Sequence, residues 1–263
     1  GVNLMSFLIY PTIKQAPILG LLGMGGGIAR ARGSTGFNYS AYSSYLTWQL
    51  SFKTNFNDAS GNGYNISTSN ITISSDYSKH YSNSAKFTGG ASGTFSTDVW
   101  TAMNNGGNWT LEYWVYNAST SMTAGYGSNF LTSRAAGDNS NGWIRFGWGG
   151  HTGNVPKMRH NRSAGGFTAH MTDDGSEKAT PSGEWVHVAT SKSGSTIRSF
   201  YNGTLIDTDT DSGSIHVSRG LIGGDDYGNY ASFQTFYMQD LRLWTGSGAD
   251  LYTANFTPPG AIE

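Results

Sequence analysis

The sequence predicts an all-β protein, one large antiparallel sandwich preceded by a separate N-terminal arm. Three observations predict it. Trp185 to Asp207 reads as three short strands joined by two tight turns. Glycine, serine, threonine and asparagine punctuate the chain about every ten residues, the rhythm of many short strands. No stretch of ten or more residues beyond the arm carries a helical period with caps. At 263 residues the chain is long enough for one sandwich with a real core.

Along the chain, residues 1–47 read as the arm. Met5 to Tyr10 is apolar and strand-like and Pro11 breaks it; Ala16 to Ala29 is apolar but glycine-rich. The arm carries Lys14, Arg30 and Arg32 and no acidic residue, a charge of +3 in a chain whose net charge is −1, which leaves −4 on the rest. That asymmetry suggests an arm lying against something else. A membrane span is disfavoured, because the apolar run is about 14 residues where about 20 are needed. A secretory signal is the competing reading, with Ala29-Arg30-Ala31 imitating a cleavage site. A glycine-rich arm cannot offset its own conformational entropy, so docking on neighbouring chains is the expectation. Phe7, Leu8, Ile9, Tyr10, Ile18, Leu19, Leu21 and Leu22 would be the apolar contacts and Arg30 and Arg32 the basic ones.

The sandwich is expected over residues 48–259, with 260–263 as a tail. In Trp185 to Asp207, Val186, Val188 and Thr190 alternate with His187 and Ala189, the period of a half-buried strand. Ser193-Gly194-Ser195 makes the first turn. Asn202-Gly203 makes the second, a type I′ hairpin that needs positive φ at both positions.

Further segments stand in a recognisable order. They are Asp58-Ala59-Ser60-Gly61-Asn62, Ser84-Ala85-Lys86-Phe87-Thr88-Gly89 and the strand W-T-L-E-Y-W-V-Y from Trp109 to Tyr116. Leu221-Ile222-Gly223-Gly224, Tyr237 to Trp244 and the ending Y-T-A-N-F-T-P-P from Tyr252 to Pro259 complete it. Together with W-V-H-V-A…G…I-R-S-F-Y-N-G, these segments resemble the laminin-G-like, concanavalin-A-like lectin family. The resemblance covers roughly residues 48–259 and implies a two-sheet antiparallel jelly-roll sandwich. The ending resembles the laminin-G-like domains of bacteriophage structural proteins.

Composition and motifs exclude several chemistries. With no cysteine, disulfides, cysteine metal sites and thiol catalysis are excluded. The near-neutral charge and the lack of a basic stripe argue against nucleic acid. Sandwich glucanases need carboxylates alternating on one strand. The glutamates are Glu112, Glu177, Glu184 and Glu263, and none has the partner that completes that pattern. Glu112 reads as a strand carboxylate satisfied by hydrogen bonds, so the chain is expected not to be an enzyme. Asp207, Asp209 and Asp211 imitate a calcium loop, but the glycine is late and the closing Glu is missing. By the resemblance, Asp225 and Asp226 near the sandwich rim are the calcium candidates; no other cofactor is expected. In N-G-W-I-R-F-G-W-G-G-H, Trp143 and Arg145 alternate with Ile144, Phe146 and Trp148, so one set is core. Trp143, Arg145, Trp148 and His151 are the glycan-contact candidates.

The expected function is a non-enzymatic bacteriophage virion structural protein on the particle surface. Its arm would bind other virion proteins, capsid or tail, and its lectin-like sandwich would face cell-surface glycans. A capsid decoration role fits better than a tail fibre, since no coiled-coil or repeat shaft is present. Homo-oligomerisation is a further expected partner relation; nucleic acid and membrane are not. The alternative is a secreted or surface bacterial glycan-binding module, with a divergent glycosidase behind it.

Overall fold

In a computed structural model of the protein, the structure describes residues 38–118, 128–135, 138, 140, 142–149, 157–162, 168–169, 183–223 and 235–260. Among them are thirteen strands, all paired antiparallel. The front sheet holds β1 (Leu46–Leu50), β4 (Trp109–Asn117), β9 (Trp185–Ser193), β10 (Thr196–Tyr201), β11 (Thr204–Thr210) and β13 (Phe236–Thr245), in the order β11-β10-β9-β4-β13, with β1 on β13. The back sheet runs through β12 (Gly220–Ile222), β5 (Ser128–Thr132), β6 (Ile144–Gly149), β7 (Lys157–Arg162) and β8 (Thr168–Ala169). The long strand β3 (Ser84–Phe95) belongs to both. Ala85, Lys86 and Phe87 pair with β13, whereas Gly93, Thr94 and Phe95 pair with β12. β2 (Ser67–Ser74) follows β3 and bulges at Asn70, whose φ is +59°. The result is the expected two-sheet jelly-roll sandwich.

Alternation builds the core. Trp109, Leu111, Tyr113 and Val115 of β4 turn inward beside Val186, Val188, Phe236, Met238, Leu241 and Leu243. They meet Phe87, Phe130, Leu131, Ile144, Phe146 and Ile222 opposite. Phe87 stacks on Phe236 with ring centroids 4.4 Å apart. One end of the sandwich is plugged by a helix that the periodicity did not announce, α1 (Asp98–Gly106). At nine residues it is too short for a visible period. It nonetheless buries Val99, Trp100 and Met103, and Trp100 Nε1 donates to the Arg219 carbonyl at 3.1 Å.

The meander is as read: β9, β10 and β11 follow one another, with φ of +49° at Asn202 and +76° at Gly203. A second constraint acts on Gly203, since a Cβ there would collide with the Phe256 carbonyl. The Phe256 amide donates to the Gly203 carbonyl at 2.8 Å, and the Leu205 amide donates to Asn255 Oδ1 at 2.7 Å. The ending thus latches onto the hairpin.

The boundary at residue 47 moves toward the N-terminus. A 3-10 helix, Tyr39–Tyr45, packs Tyr42 into a second apolar cluster with Phe200, Trp244, Leu251 and Tyr252, and β1 starts at Leu46. Tyrosine-rich and polar in sequence, this stretch resembles a linker until its rings are seen against the sheet. The outer edge of β1 is closed by the Asp58 turn. Asp58 Oδ1 accepts from the Gln49 and Ser60 amides at 3.0 and 2.9 Å, and Oδ2 from Ser60 Oγ and the Tyr64 amide at 2.8 and 3.0 Å. Ser60 Oγ and Asn62 Nδ2 both donate to the Thr47 carbonyl. Unpaired edges invite intermolecular pairing, and this turn occupies one. Replacing Asp58 with Ala removes an acceptor from four donors. We expect a stability loss on the order of 2 kcal/mol and a melting temperature lower by roughly 5 °C, read by calorimetry; an unchanged melting temperature would refute the latch.

Candidate functional site

The outward side chains of the front sheet form cross-strand rows, because paired residues share a face. One row is Trp185, Tyr116, Tyr237 and Lys86, running over β9, β4, β13 and β3. The next is His187, Trp114 and Gln239, and after it come Ala189, Glu112, Arg242 and Gln49. The last, Ser191, Thr110, Trp244 and Leu46, is covered by the 3-10 helix and the C-terminal segment.

Glu112 anchors the covered half. Its Oε1 accepts from Tyr39 Oη at 2.7 Å and Arg242 Nη1 at 3.0 Å; its Oε2 accepts from Tyr252 Oη at 2.6 Å and His187 Nε2 at 3.0 Å. These four bonds fill the acceptor capacity of a carboxylate. Burial alone would raise its pKa, but His187, Arg242 and Tyr252 outweigh it and hold the carboxyl at about 2. Burial likewise works against the Arg242 charge, and Glu112 and Asp240 overcome it, so Arg242 stays protonated. Asp240 Oδ2 lies 3.1 Å from Arg242 Nη2. Asp240 sits at φ +51° in a bulge, where the register with β4 slips between Gln239 and Arg242. The extra residue brings Arg242 opposite Glu112. Burial raises the Asp240 carboxyl to about 6 against the pull of Arg242. Sealed and ionised, Glu112 holds the structure together and offers nothing to a substrate, as its reading as a hydrogen-bonded strand carboxylate anticipates.

The opposite end of the face reaches solvent through Tyr77 and Trp185. Tyr77, from the segment before β3, stacks on Tyr116 with centroids 4.3 Å apart and meets Tyr237 edge-on at 5.0 Å. Trp185 lies 5.6 Å from Tyr116. Tyr77 is 41 % exposed and Trp185 is half-buried. Asp76 Oδ2 accepts from Lys86 Nζ at 2.6 Å and Tyr237 Oη at 3.0 Å, placing a charged pair beside the rings. These side-chain hydrogen bonds from Lys86, Tyr237 and Ser74 lower the Asp76 pKa, and the bond to Asp76 raises that of Lys86. Aromatic faces bordered by charged hydrogen-bonding groups form a surface that can stack on a ring and bind its polar rim.

A small cleft of about 90 Å³ lies at the helix end, lined by Asn104, Trp109, Lys192, Asp211 and Ile215 among others. Its polar groups serve the fold: Asn104 bonds both the amide and the carbonyl of Ile215, and Asp211 Oδ1 accepts from the Gly213 amide. Among the described residues no cluster of three or more His, Cys, Asp or Glu is placed to hold a metal ion.

Ile144 and Phe146 enter the core, so two of the glycan candidates, Trp143 and Arg145, share the outer side of the back sheet. The guanidinium carbons of Arg134 and Arg145 lie 5.0 and 5.3 Å from the Trp143 ring centroid, a cation–π pair at a half-buried tryptophan. The Trp148 side chain, His151, Asp225 and Asp226 lie outside the described residues, as do the arm contacts from Phe7 to Arg32. The Tyr77–Tyr116–Trp185 group was missed. Alternation in W-T-L-E-Y-W-V-Y already puts Trp114 and Tyr116 on the face away from Leu111 and Val115; the pairing that sets Trp185 and Tyr237 beside Tyr116 is a tertiary fact.

Fold and face define a lectin-like jelly-roll sandwich. The sequence profile described as the concanavalin A-like lectin/glucanases superfamily, Laminin_G_3, matches residues 87–247, and the chain belongs to this family. No curated protein matches the sequence. Among solved structures, the chain is similar to domain 4 of AbnA, an extracellular GH43 arabinanase from Geobacillus stearothermophilus solved in complex with arabinotriose. Identity is 18 % and the TM-score 0.56, over 78 % of this chain and 97 % of that one. It is similar to the binding domain of Paraclostridial Mosquitocidal Protein 1 at 13 % identity and TM-score 0.55, over 78 % of this chain and 50 % of that one. It is also similar to a mutant Trypanosoma rangeli sialidase at 14 % identity and TM-score 0.52, over 80 % of this chain and 32 % of that one. The chain therefore spans about half of the toxin chain and a third of the sialidase chain. At these identities the likeness is one of fold.

The two buried acids predict opposite pH effects. Glu112 falls from an ordinary 4.5 to about 2 on folding, so its stabilisation is present above 4.5 and is lost as pH drops toward 2. Asp240 rises from 3.8 to about 6, so its contribution is complete below 3.8 and disappears as pH rises through 6. Urea unfolding across this range should show wild-type stability collapsing in acid. The difference between wild type and Asp240→Asn should change with pH between 3.8 and about 6 and be flat above. A constant difference there would show that Asp240 titrates as it does in the unfolded chain.

Proposed function

We propose that this chain is a non-catalytic carbohydrate-binding domain displayed on the surface of a bacteriophage particle. The observation that carries the binding reading is the Tyr77 ring, 41 % exposed and stacked at 4.3 Å on Tyr116, beside Trp185 and the Asp76–Lys86 pair. A sugar ring presents C–H faces to aromatic surfaces and hydroxyls to charged groups, and this row supplies both. The arabinotriose complex of the AbnA domain and the binding domain of the mosquitocidal protein support a ligand-binding use of such a sandwich. The non-catalytic reading rests on the carboxylates: Glu112 is sealed by four donors, and Asp240 is buried against Arg242. A glycosidase needs two carboxyl groups flanking a bond that the substrate can bring between them.

The virion setting is supported by the sequence. The arm is basic and apolar, with Lys14, Arg30 and Arg32 and no acidic residue, and the ending Y-T-A-N-F-T-P-P resembles phage structural proteins. Many copies on one particle would turn weak single-site contacts into avid ones.

Trp185→Ala should weaken glycan binding by about tenfold, the cost of one aromatic contact of about 1.4 kcal/mol, while circular dichroism stays unchanged. A glycan array read with wild type and variant side by side tests this, and equal binding would sink the platform. For the setting, deletion of residues 1–37 should leave the thermal transition in place and remove the chain from gradient-purified particles. Retention of the truncated chain would overturn the docking arm. Absence of the full chain from particles would favour the secreted or surface bacterial module.

A further inference from the structure

We propose that residues 75–83 are a displaceable strap over a second sugar-contact surface, the His187–Trp114–Gln239 row, and that the ligand is a neutral, hydroxyl-rich oligosaccharide. The proposal rests on the carbohydrate-binding reading above and extends it under the strap. Three observations carry it.

The strap buries none of its own side chains: Ser75 to Lys79 and Ser82 are exposed, and His80, Tyr81 and Asn83 are half-buried. A segment with so little apolar burial has low local stability. The surface beneath it is the reverse. Trp114 is 6 % exposed, and His187 and Gln239 are fully buried.

That surface also leaves polar atoms unanswered. Trp114 Nε1, His187 Nδ1 and His80 Nε2 are buried without a hydrogen-bond partner among the described residues. They belong to one aromatic group, since Trp114 meets the His80 and His187 rings edge-on, each at 5.1 Å. A buried polar group without a partner costs free energy, and such groups call for an explanation. Here one indole donor and two imidazole nitrogens converge on the seam between strap and sheet. Burial, then Lys79, Arg242 and His187, lowers His80 to about 4, so its ring is neutral near neutral pH and suits a hydroxyl more than an anion. A flat indole beside the neutral His80 ring and the Gln239 amide matches a sugar ring and its hydroxyls.

Gln239 holds three main-chain groups of the strap, and Ser84 Oγ holds a fourth, the Tyr77 carbonyl, at 2.6 Å. Gln239 Oε1 accepts from the Lys79 and His80 amides at 3.1 and 2.8 Å, and Gln239 Nε2 donates to the Asn83 carbonyl. Lys79 Nζ sits 4.5 Å from the Trp114 ring centroid, covering a face that a ligand would use. Opening the strap from its Lys79–Asn83 end would lift Lys79 off Trp114, leave Tyr77 on Tyr116 and Asp76 on Lys86, and join the two rows into one surface.

The test uses the full chain and isothermal calorimetry with cellotriose, xylotriose and arabinotriose, together with amide exchange over residues 75–83. Gln239→Leu loosens the latch, and Lys79→Ala uncovers Trp114 from the surface, should the buried variant fail to fold. Both are expected to speed strap exchange, and Lys79→Ala, which leaves the contact row intact, to tighten the best trisaccharide by about threefold to tenfold, because a larger fraction of molecules is open. Trp114→Phe, which keeps the ring and deletes the donor, is expected to weaken it by a similar factor at unchanged strap exchange. Faster exchange with unchanged affinity, and Trp114→Phe binding like wild type, would overturn the strap; if Trp185→Ala still lost binding, the open platform would stand without it. Loss in Trp114→Phe with none in Trp185→Ala would uphold the strap and remove the platform. No trisaccharide binding by wild type or either loosened variant would sink both.

Discussion

The carboxylate of Glu112 is the constraint on which the rest of the front sheet depends. Its partners come from four distant places: the 3-10 helix, β9, β13 and the C-terminal segment. Each contact is one that no local preference would make, so the four together fix which segments cover the sheet and in what register. An ion pair this deep is weak evidence for net stability, because desolvation opposes the attraction. Removing one partner is another matter, since it leaves an uncompensated charge and costs about 3–5 kcal/mol. The arrangement therefore acts more as a specification than as a reservoir of stability.

Specification at one end leaves freedom at the other. The 3-10 helix and the ending, stacked through Tyr39 on Trp244 and Tyr252 on Phe256, consume the half of the face around Thr110 and Glu112. Over the remaining half, from Trp114 to Tyr116, lie residues 75–83, with Phe256 against His187 at its border. Backbone pairing holds the rings of Trp114, Tyr116, Trp185 and Tyr237 on β4, β9 and β13, and Tyr77 joins them from the segment before β3. Rings on paired strands are held more closely than rings on loops, and a preorganised surface loses less entropy when it binds.

How much of this was legible follows from the range of each interaction. Asn202-Gly203 announces its hairpin because positive φ at both positions is a local property. The inward set Trp109, Leu111, Tyr113 and Val115 follows from alternation within one strand. The bulge at Asp240 does not, although it decides that Arg242 and not Leu241 faces Glu112; it is visible only once β13 lies against β4. Tyr39 was assigned to the arm for the same reason: its partners, Glu112 and Tyr252, are 73 and 213 residues away. The aromatic platform falls between these cases. Tyr116 can be read as outward from the pattern, but Tyr77 joins it from a polar segment with no period to read.

The contrast between the two ends of the face bears on what the domain can do. A catalytic sandwich exposes its carboxylates along an open strand, and β4 spends its one glutamate on a buried anchor, with Trp114 and Tyr116 further along the same face. Charge is used for holding the fold, and aromatic area is left for contact. With 13 % charged residues against 14 % aromatic, the chain has few ionic groups with which to steer or clamp a ligand. On the proposed carbohydrate-binding reading, affinity at a single site would depend on stacking and hydroxyl contacts, each modest. Under the proposed display on a particle, repetition would supply the strength that a single site lacks, and the apolar, basic arm would be the means of presentation.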